Sequence, residues 1–182
     1  MPVDADETFI GATGRIYVGA VGSTPPTNAT SSPDAAFFDL GYVSEDGPAL
    51  TPAKTSEALM GWQSFFQLRR FVTGIDFSVT FALLQHNQET IKLAMGGGTW
   101  TGTTQFTPAD PSTLDERALI LDVQDGSRTH RWYFPKGIIT DTGEIRYNRA
   151  GGAMFTLTYA PELSEGDNLF EIFFNDSEIS AT

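Results

Sequence analysis

The residue types best suited to catalysis come together around Asp125, Ser127 and His130. A serine, a histidine and an aspartate are the members of a nucleophile–base–orienter triad, which carries out acyl transfer. The dipeptide Asp125-Gly126, however, predicts a tight hairpin turn at this point of the chain. Side chains spread around such a turn can hardly form the line that proton transfer requires, so the sequence predicts no hydrolase site here.

Other candidate sites lack the residues that would complete them. The glycine run 96–98 has no Lys-Ser/Thr after it and closes a predicted helix instead of opening one, unlike a phosphate-binding loop. Asp39, Glu45 and Asp46 lack the alternating spacing and distal glutamate of a calcium loop. With no cysteines, disulfides and thiolate zinc sites are excluded. The sequence predicts neither an enzyme nor a cofactor or metal site.

Acidic residues are concentrated at the two ends of the chain. The formal net charge is −12, and residues 1–10 and 161–182 hold three and six acids respectively, with no Lys or Arg. Nucleic-acid affinity comes mainly from Lys and Arg that neutralise phosphates. We therefore expect a protein that can lie near DNA without binding it.

Size and hydropathy indicate a single domain over residues 1–182. A chain of 182 residues is long enough to bury a core without disulfides. No apolar run approaches the ~18 residues of a membrane helix, and the N-terminus does not resemble a signal peptide. We expect no association with membranes.

Alternation of apolar and polar residues predicts a mainly β fold. The clearest strand is Ile75 to Leu83, where Asp76, Ser78 and Thr80 occupy the face opposite the apolar residues. We predict about eight to ten strands in all, the last an edge strand. Besides 75–83, the predicted strands are 15–18, 37–43, 62–72, 99–107, 117–123, 129–134, 138–147, 153–159 and 169–174.

One helix is predicted at 87–95, after the fifth strand. Asn87 is suited to cap its N-terminus, Glu89 favours its positive end, and Ile91 with Ala94 and Met95 forms a short apolar stripe. The glycine run that follows ends it.

The opening third of the chain contains a long segment, 44–72, that we interpret as an extended loop. Turn-forming residues dominate its beginning and large aromatic residues its end. A compact domain rarely uses this length merely to connect two strands. Exposed aromatic residues on such a segment indicate contact with something outside the domain.

The order of these elements resembles the tail tube proteins (major tail proteins) of long-tailed phages, particularly phages that infect actinobacteria. The resemblance covers residues from about 14 to 160, leaving the N-terminal arm 1–13 and the acidic C-terminal segment 161–182 outside it. The residues that carry the resemblance are the two glycine-containing segments 14–19 (GRIYVG) and 39–47 (DLGYVSEDG), with Pro26-Thr27 between them. They also include the strand 75–84, which leads into 87–90 (NQET) and the helix closed by glycines 96–98.

The resemblance implies two packed antiparallel sheets, a β-sandwich or half-barrel, with one flanking helix and a long loop. It also implies that six copies join their inner sheets into a closed ring, and that rings stack into a hollow tail tube for the genome. The loop 44–72 would reach the adjacent ring. The implied partners are further copies of the chain, the tape measure protein, the tail terminator and distal tail proteins, in a non-contractile virion tail assembled in the host cytoplasm.

Two sets of residues follow from this implied assembly. Trp62, Phe65 and Phe66 are the expected apolar anchors between rings, although these side chains could instead cover the core of their own domain. Arg69 and Arg70 are expected to pair with acids on another copy. The polar positions hypothesised to line the lumen are Asp76, Ser78, Thr80, Asp122 and Gln124.

Two other classes of protein remain open at the level of sequence. Another ring-forming virion protein, such as a tail terminator or a head–tail connector, would stop at single rings. A β-sandwich module that binds carbohydrate would instead be a stable monomer with an exposed aromatic platform.

Overall fold

The computed structural model describes residues 8–110, 112–145, 147, 152–164, 166, 168–176 and 179. Most of the predicted N-terminal arm 1–13, and part of the predicted C-terminal segment 161–182, therefore lie outside the described residues. The elements in chain order are β1 (Thr13–Ala20), β2 (Phe38–Asp39), β3 (Ala49–Met60), β4 (Gln67–Leu83), α1 (Gln88–Ala94), β5 (Gly98–Thr101), β6 (Gln105–Pro108), β7 (Arg117–Asp125), β8 (Arg128–Phe134), β9 (Gly137–Thr142), β10 (Phe155–Pro161) and β11 (Glu171–Asn175).

Two antiparallel sheets face each other, which confirms the predicted fold class. The five-stranded sheet has the order β11-β8-β7-β1-β2, and the four-stranded sheet has the order β3-β4-β10-β9. Strands β5 and β6 form a separate small hairpin. The described part of the chain is thus mainly β with one helix, as the alternating sequence pattern predicts.

The core lies between the two sheets and draws on the inward positions of both. Each large side chain that is fully buried contributes roughly 1.5–3 kcal/mol through removal of apolar surface from water. The five-stranded sheet supplies Ile16, Val18, Leu119, Leu121 and Phe134, and the four-stranded sheet supplies Val79, Phe81, Leu83, Phe155, Leu157 and Tyr159.

Tyr159 is the largest of these buried side chains, and its polar end has a partner. Its hydroxyl donates to the carbonyl of Arg117 at 2.9 Å, and burial raises the pKa of Tyr159 far above its ordinary value. Gly137 lies beside the ring, where a Cβ would approach the Tyr159 Cζ to 2.4 Å. The neighbouring strand can pass this close only because a glycine stands there.

Helix α1 closes one side of the core at the predicted position. Asn87 and Thr90 form a reciprocal capping box, with both N–H···O distances at 2.9 Å. Leu93 and Ala94 enter the core. The helix follows the fourth strand and not the fifth. Residues 67–83, which overlap two predicted strands, form the single strand β4, and β3 was not predicted as a strand.

The C-terminal aromatic residues dock on the five-stranded sheet as an edge strand, as predicted. Strand β11 pairs antiparallel with β8, placing Glu171 opposite Tyr133. Just before it, the Phe170 ring packs against Phe77, Trp132 and Phe134 with centroid separations between 5.0 and 5.8 Å. This aromatic cluster joins the C-terminal segment to the core.

The prediction that 44–72 is an extended loop is wrong for most of its length. Residues 49–60 and 67–83 pair as a long antiparallel hairpin, from Ala49↔Thr80 to Met60↔Gln67. The residues of β3 are mostly exposed. No alternation of apolar and polar residues marks this strand because it has no buried face over most of its length.

The outward face of the five-stranded sheet is covered by the chain's own connection between β1 and β2. Ala29 and Phe37 in this connection are buried, and Phe37 packs in one cluster with Ile120 and Tyr133. Both faces of β7 are therefore buried. The alternation in β7 predicted an inward and an outward face, but it did not reveal this cover.

A buried ion pair attaches that cover to the sheet. The Arg131 guanidinium donates to both oxygens of Asp122, each at 2.6 Å, and both side chains are almost completely buried. The same guanidinium donates to the backbone carbonyls of Asn28 and Ser31. The prediction that Asp122 lines an open lumen surface is therefore wrong, because the side chain is neutralised and covered.

We predict that Arg131→Met destabilises the protein by about 3–5 kcal/mol, because Asp122 would be left buried without a counter-charge. The double variant Asp122→Leu/Arg131→Met should recover most of this loss. Urea denaturation followed by circular dichroism measures both. As a control, Arg15→Met removes a solvent-exposed pair with Asp39 and should barely move the midpoint. An Arg131→Met midpoint equal to that of the parent would contradict the argument.

Candidate assembly interface

Nine of the large apolar side chains that are exposed in the described residues belong to the free end of the β3–β4 hairpin. Strand β10 pairs with β4 only over Val79–Leu83, so among the strands that the structure describes residues 54–75 are paired only with each other. We call residues 54–75 the arm. At about 3.3 Å per residue, the stretch from Gln67 to Ile75 extends roughly 30 Å. The arm therefore projects well beyond the sandwich.

Large apolar side chains on the arm are exposed to solvent in this chain. Trp62, Phe65 and Phe66 at the tip are 98%, 101% and 83% exposed, which shows that they do not cover the core of their own domain. Monomeric proteins rarely present apolar patches of this extent unless a partner covers them. The other exposed large apolar residues of the arm are Leu59, Met60, Leu68, Phe71, Val72 and Ile75.

Local hydrogen bonds shape the turn that presents the three aromatic rings. The Ser64 N–H donates to the Gly61 carbonyl at 3.2 Å, and the Phe66 N–H donates to the Ser64 hydroxyl at 3.1 Å. Gly61 also allows the Leu68 side chain to lie close, since a Cβ at position 61 would approach Leu68 Cδ1 to 2.7 Å. The tip is therefore a formed turn that holds its aromatic residues outward.

The two adjacent arginines of the arm point to opposite faces of the hairpin. Arg69 is opposite Leu59 and Arg70 is opposite Ala58, and successive strand residues face opposite sides. The Arg70 guanidinium donates to Ser56 Oγ at 3.2 Å and to Gln67 Oε1 at 3.1 Å. The pair is thus not one basic cluster but one positive charge on each side of the arm.

The polar residues hypothesised to line a lumen do not share one surface. Asp76, Ser78 and Thr80 lie on the outward face of the four-stranded sheet, where Thr80 is opposite Thr158 with their hydroxyls 3.5 Å apart. Asp122 and Gln124 belong to β7 in the other sheet. Because the sheets pack core to core, one bore cannot be lined by both sets.

The outward face of the four-stranded sheet is polar, built from small residues and negatively charged. The register with β10 places Asp141 of β9 on this face, beside Thr158. In the described strands outside the arm, the positions on this face include Asp76 and Asp141 but no Lys or Arg. The sequence did not identify Asp141, because its face depends on a register shift between Thr158 and Tyr159.

Asp125, Ser127 and His130 do not form a triad. The carboxylate of Asp125 accepts from the Ile10 N–H at 3.0 Å and from Arg128 at 2.6 Å, and these bonds lower the pKa of Asp125. The His130 ring stacks on Phe9 with a centroid separation of 3.8 Å. These residues hold the stretch just before β1 against the β7–β8 turn, which is a structural role.

The described residues form no helix that is long and apolar enough to cross a membrane. In the same part of the chain, no group of three or more His, Cys, Asp or Glu side chains is arranged to hold a metal ion.

Comparison with known proteins identifies a family. A family model described as "Phage tail tube protein" matches residues 1–182, the whole chain. No curated protein sequence matches. Among solved structures, a chain in the cryo-EM structure of the anti-feeding prophage baseplate has a TM-score of 0.44 and 8% identity, covering 91% of this chain and 95% of that one. A similarity at this level supports no conclusion about function.

We predict that replacing Trp62, Phe65 and Phe66 together with alanine changes the free energy of unfolding of the monomer by no more than about 0.5 kcal/mol, because exposed side chains contribute little to the fold. The matched control is Phe81→Ala at a buried position, which should cost about 3–5 kcal/mol. Denaturation at low protein concentration measures both. A large loss in the tip variant would show that the rings pack on their own domain.

Proposed function

Because the chain belongs to the phage tail tube protein family, and is therefore a structural component of a phage tail, we propose that it builds the tube itself. Six copies join into a ring, and rings stack into a hollow cylinder through which the genome passes. The observation that supports this most strongly is the arm, which projects about 30 Å from the sandwich and exposes large apolar side chains along its length.

In this proposal the arm joins one ring to the next. Aromatic side chains bury about 200 Å² each, so the three tip rings provide on the order of 15 kcal/mol of gross stabilisation at about 25 cal/mol per Å². The loss of translational and rotational freedom offsets much of this for a single contact. Six arms acting together between two rings make stacking strong, because each further contact is formed without a new association step.

The four-stranded sheet is the one that closes the ring. Its edge strands are β3 and β9, and an edge strand presents unpaired N–H and C=O groups that a neighbouring copy can bond. Closure of a ring removes every such edge. The five-stranded sheet is less suited to face a bore, since its outward face is covered by the connection between β1 and β2.

The outward face of the four-stranded sheet then lines the bore. Asp76 and Asp141 give it negative charge, while Ser78, Thr80 and Thr158 keep it polar without cations. Such a wall repels phosphate and lets DNA pass without specific binding. The protein acts as a structural part and not as an enzyme, and it works without a cofactor.

The further partners are those of a tail tube. We propose that the tape measure protein occupies the bore during assembly, and that the tail terminator and distal tail proteins contact the two ends of the tube. Assembly takes place in the host cytoplasm, and the finished protein resides in a non-contractile virion tail.

Electron microscopy of the purified protein across a range of concentrations tests this function. We expect tubes whose number and length increase with concentration, and we expect the Trp62→Ala/Phe65→Ala/Phe66→Ala variant to remain as rings or monomers. Preparations that stop at single rings would instead indicate a tail terminator or connector. A protein that stays monomeric at every concentration would contradict tube formation.

We predict that Asp76→Lys slows DNA ejection from assembled tails, because a ring of six added cations in the bore attracts phosphate. The matched control is Asp34→Lys, an equal change of charge at an exposed position in the connection over the five-stranded sheet. Ejection can be followed by fluorescence of released DNA from phage with tails of normal length. The delay should shrink as salt is raised, and equal ejection rates in the two variants would contradict a bore lined by Asp76.

A further inference from the structure

A groove of about 710 Å³ lies between the beginning of β1 and residues 38–48. Exposed aromatic side chains form part of its wall, since Phe38 and Tyr42 are 44% and 73% exposed. Residues 11–14, which lead into β1, also line the groove. Its lining also includes Arg15, Asp39 and Glu45. A groove of this size, in which aromatic rings stand beside charged groups, is suited to receive apolar side chains that are flanked by charges.

The groove and the arm lie at opposite ends of the same strand. The Ser44 N–H donates to the Ala82 carbonyl at 2.8 Å, and the Leu84 N–H donates to the Tyr42 carbonyl at 2.9 Å. The groove is therefore fixed to the end of β4 near Leu83, whereas the arm tip adjoins its beginning at Gln67. Two copies arranged head to tail along this strand would bring the arm of one towards the groove of the other.

The charges of the two surfaces are complementary. The arm carries Lys54, Arg69 and Arg70 against the single acid Glu57. The segment beside the groove carries the exposed acids Glu45 and Asp46, while Asp39 is already paired with Arg15 at 2.6 Å. In a chain with a net charge of −12, a positive arm is a local exception that favours contact with an acidic surface.

We infer that this groove receives the arm tip of a second copy of the chain, with Trp62, Phe65 and Phe66 inserted beside Phe38 and Tyr42. This inference rests on the proposed function, in which arms join stacked copies, and adds the surface on which each arm docks. The contact is heterologous, because the two copies contribute different surfaces, and repetition of such a contact generates an open stack instead of a closed dimer.

Disulfide cross-linking tests the inference, and the chain offers a clean background because it contains no cysteine. Gln63→Cys places a thiol in the arm tip while keeping all three aromatic rings, and Ser44→Cys places one in the groove wall. A disulfide forms only when the two Cα atoms come within about 7 Å. The two full-length variants are mixed, assembled and oxidised. The matched control pairs Gln63→Cys with Asp34→Cys.

We expect a covalent dimer from the Gln63→Cys and Ser44→Cys mixture and none from the control mixture. Tubes that assemble without this cross-link would overturn the inference while leaving tube formation intact. If the parent protein forms no tubes, the proposed function fails, and the inference fails with it.

Charge reversal gives an independent test that does not depend on oxidation. Glu45→Arg/Asp46→Arg and Arg69→Glu/Arg70→Glu should each raise the concentration needed for tubes by about tenfold, because each brings like charges together. The chain that carries all four substitutions should assemble close to the parent concentration. Unfolding midpoints near that of the parent exclude misfolding as the cause. Absence of rescue in well-folded variants would overturn the pairing of arm and groove.

Discussion

The antiparallel pairing of β4 with β10 over Val79–Leu83 anchors a strand that is much longer than the sandwich it belongs to. Within the sandwich, β4 is bonded on both sides and fills the core with Val79, Phe81 and Leu83. Beyond it, the same strand is bonded only to β3. An isolated two-stranded hairpin is marginal in water, so the arm depends on the buried half of β4 for its order and its direction.

The two outward faces of the sandwich differ because the described part of the chain covers one of them and leaves the other exposed. The Arg131–Asp122 pair and the carbonyls of Asn28 and Ser31 hold the connection between β1 and β2 over the five-stranded sheet. Buried ion pairs are weak sources of stability compared with apolar packing. This one has a positional effect, since it determines which sheet face stays free.

Sequence patterns predicted the elements that have one buried face or a strong local signal. The alternation in 75–83 predicted a strand, Asp125-Gly126 predicted a hairpin turn, and Asn87 predicted the start of a helix. Each prediction succeeded because the interactions that form the element lie within a few neighbouring residues. Strand β3 was missed because its residues face solvent on both sides along most of its length. The burial of Asp122 was missed because its cover comes from residues about a hundred positions away in the chain.

The features of the candidate interface also divide into those with a local sequence signal and those that depend on strand pairing. The aromatic tip of the arm was predictable, because Trp62, Phe65 and Phe66 stand out by type and lie in a segment too long for a simple connection. The separation of Arg69 from Arg70 was not predicted, since it depends on the strand pairing of β3 with β4. Likewise, Asp141 joins Asp76 on one face only through the register of β9 and β10.

Because the arm and the groove lie at opposite ends of β4, the two ends of the subunit differ. In the proposed stack the two termini would differ chemically: one would end in uncovered aromatic tips, and the other would end in empty grooves. A protein that started such a stack and a protein that finished it would then need different complementary surfaces. Growth in one direction, and recognition of each terminus by its own partner, would follow from the direction of a single strand.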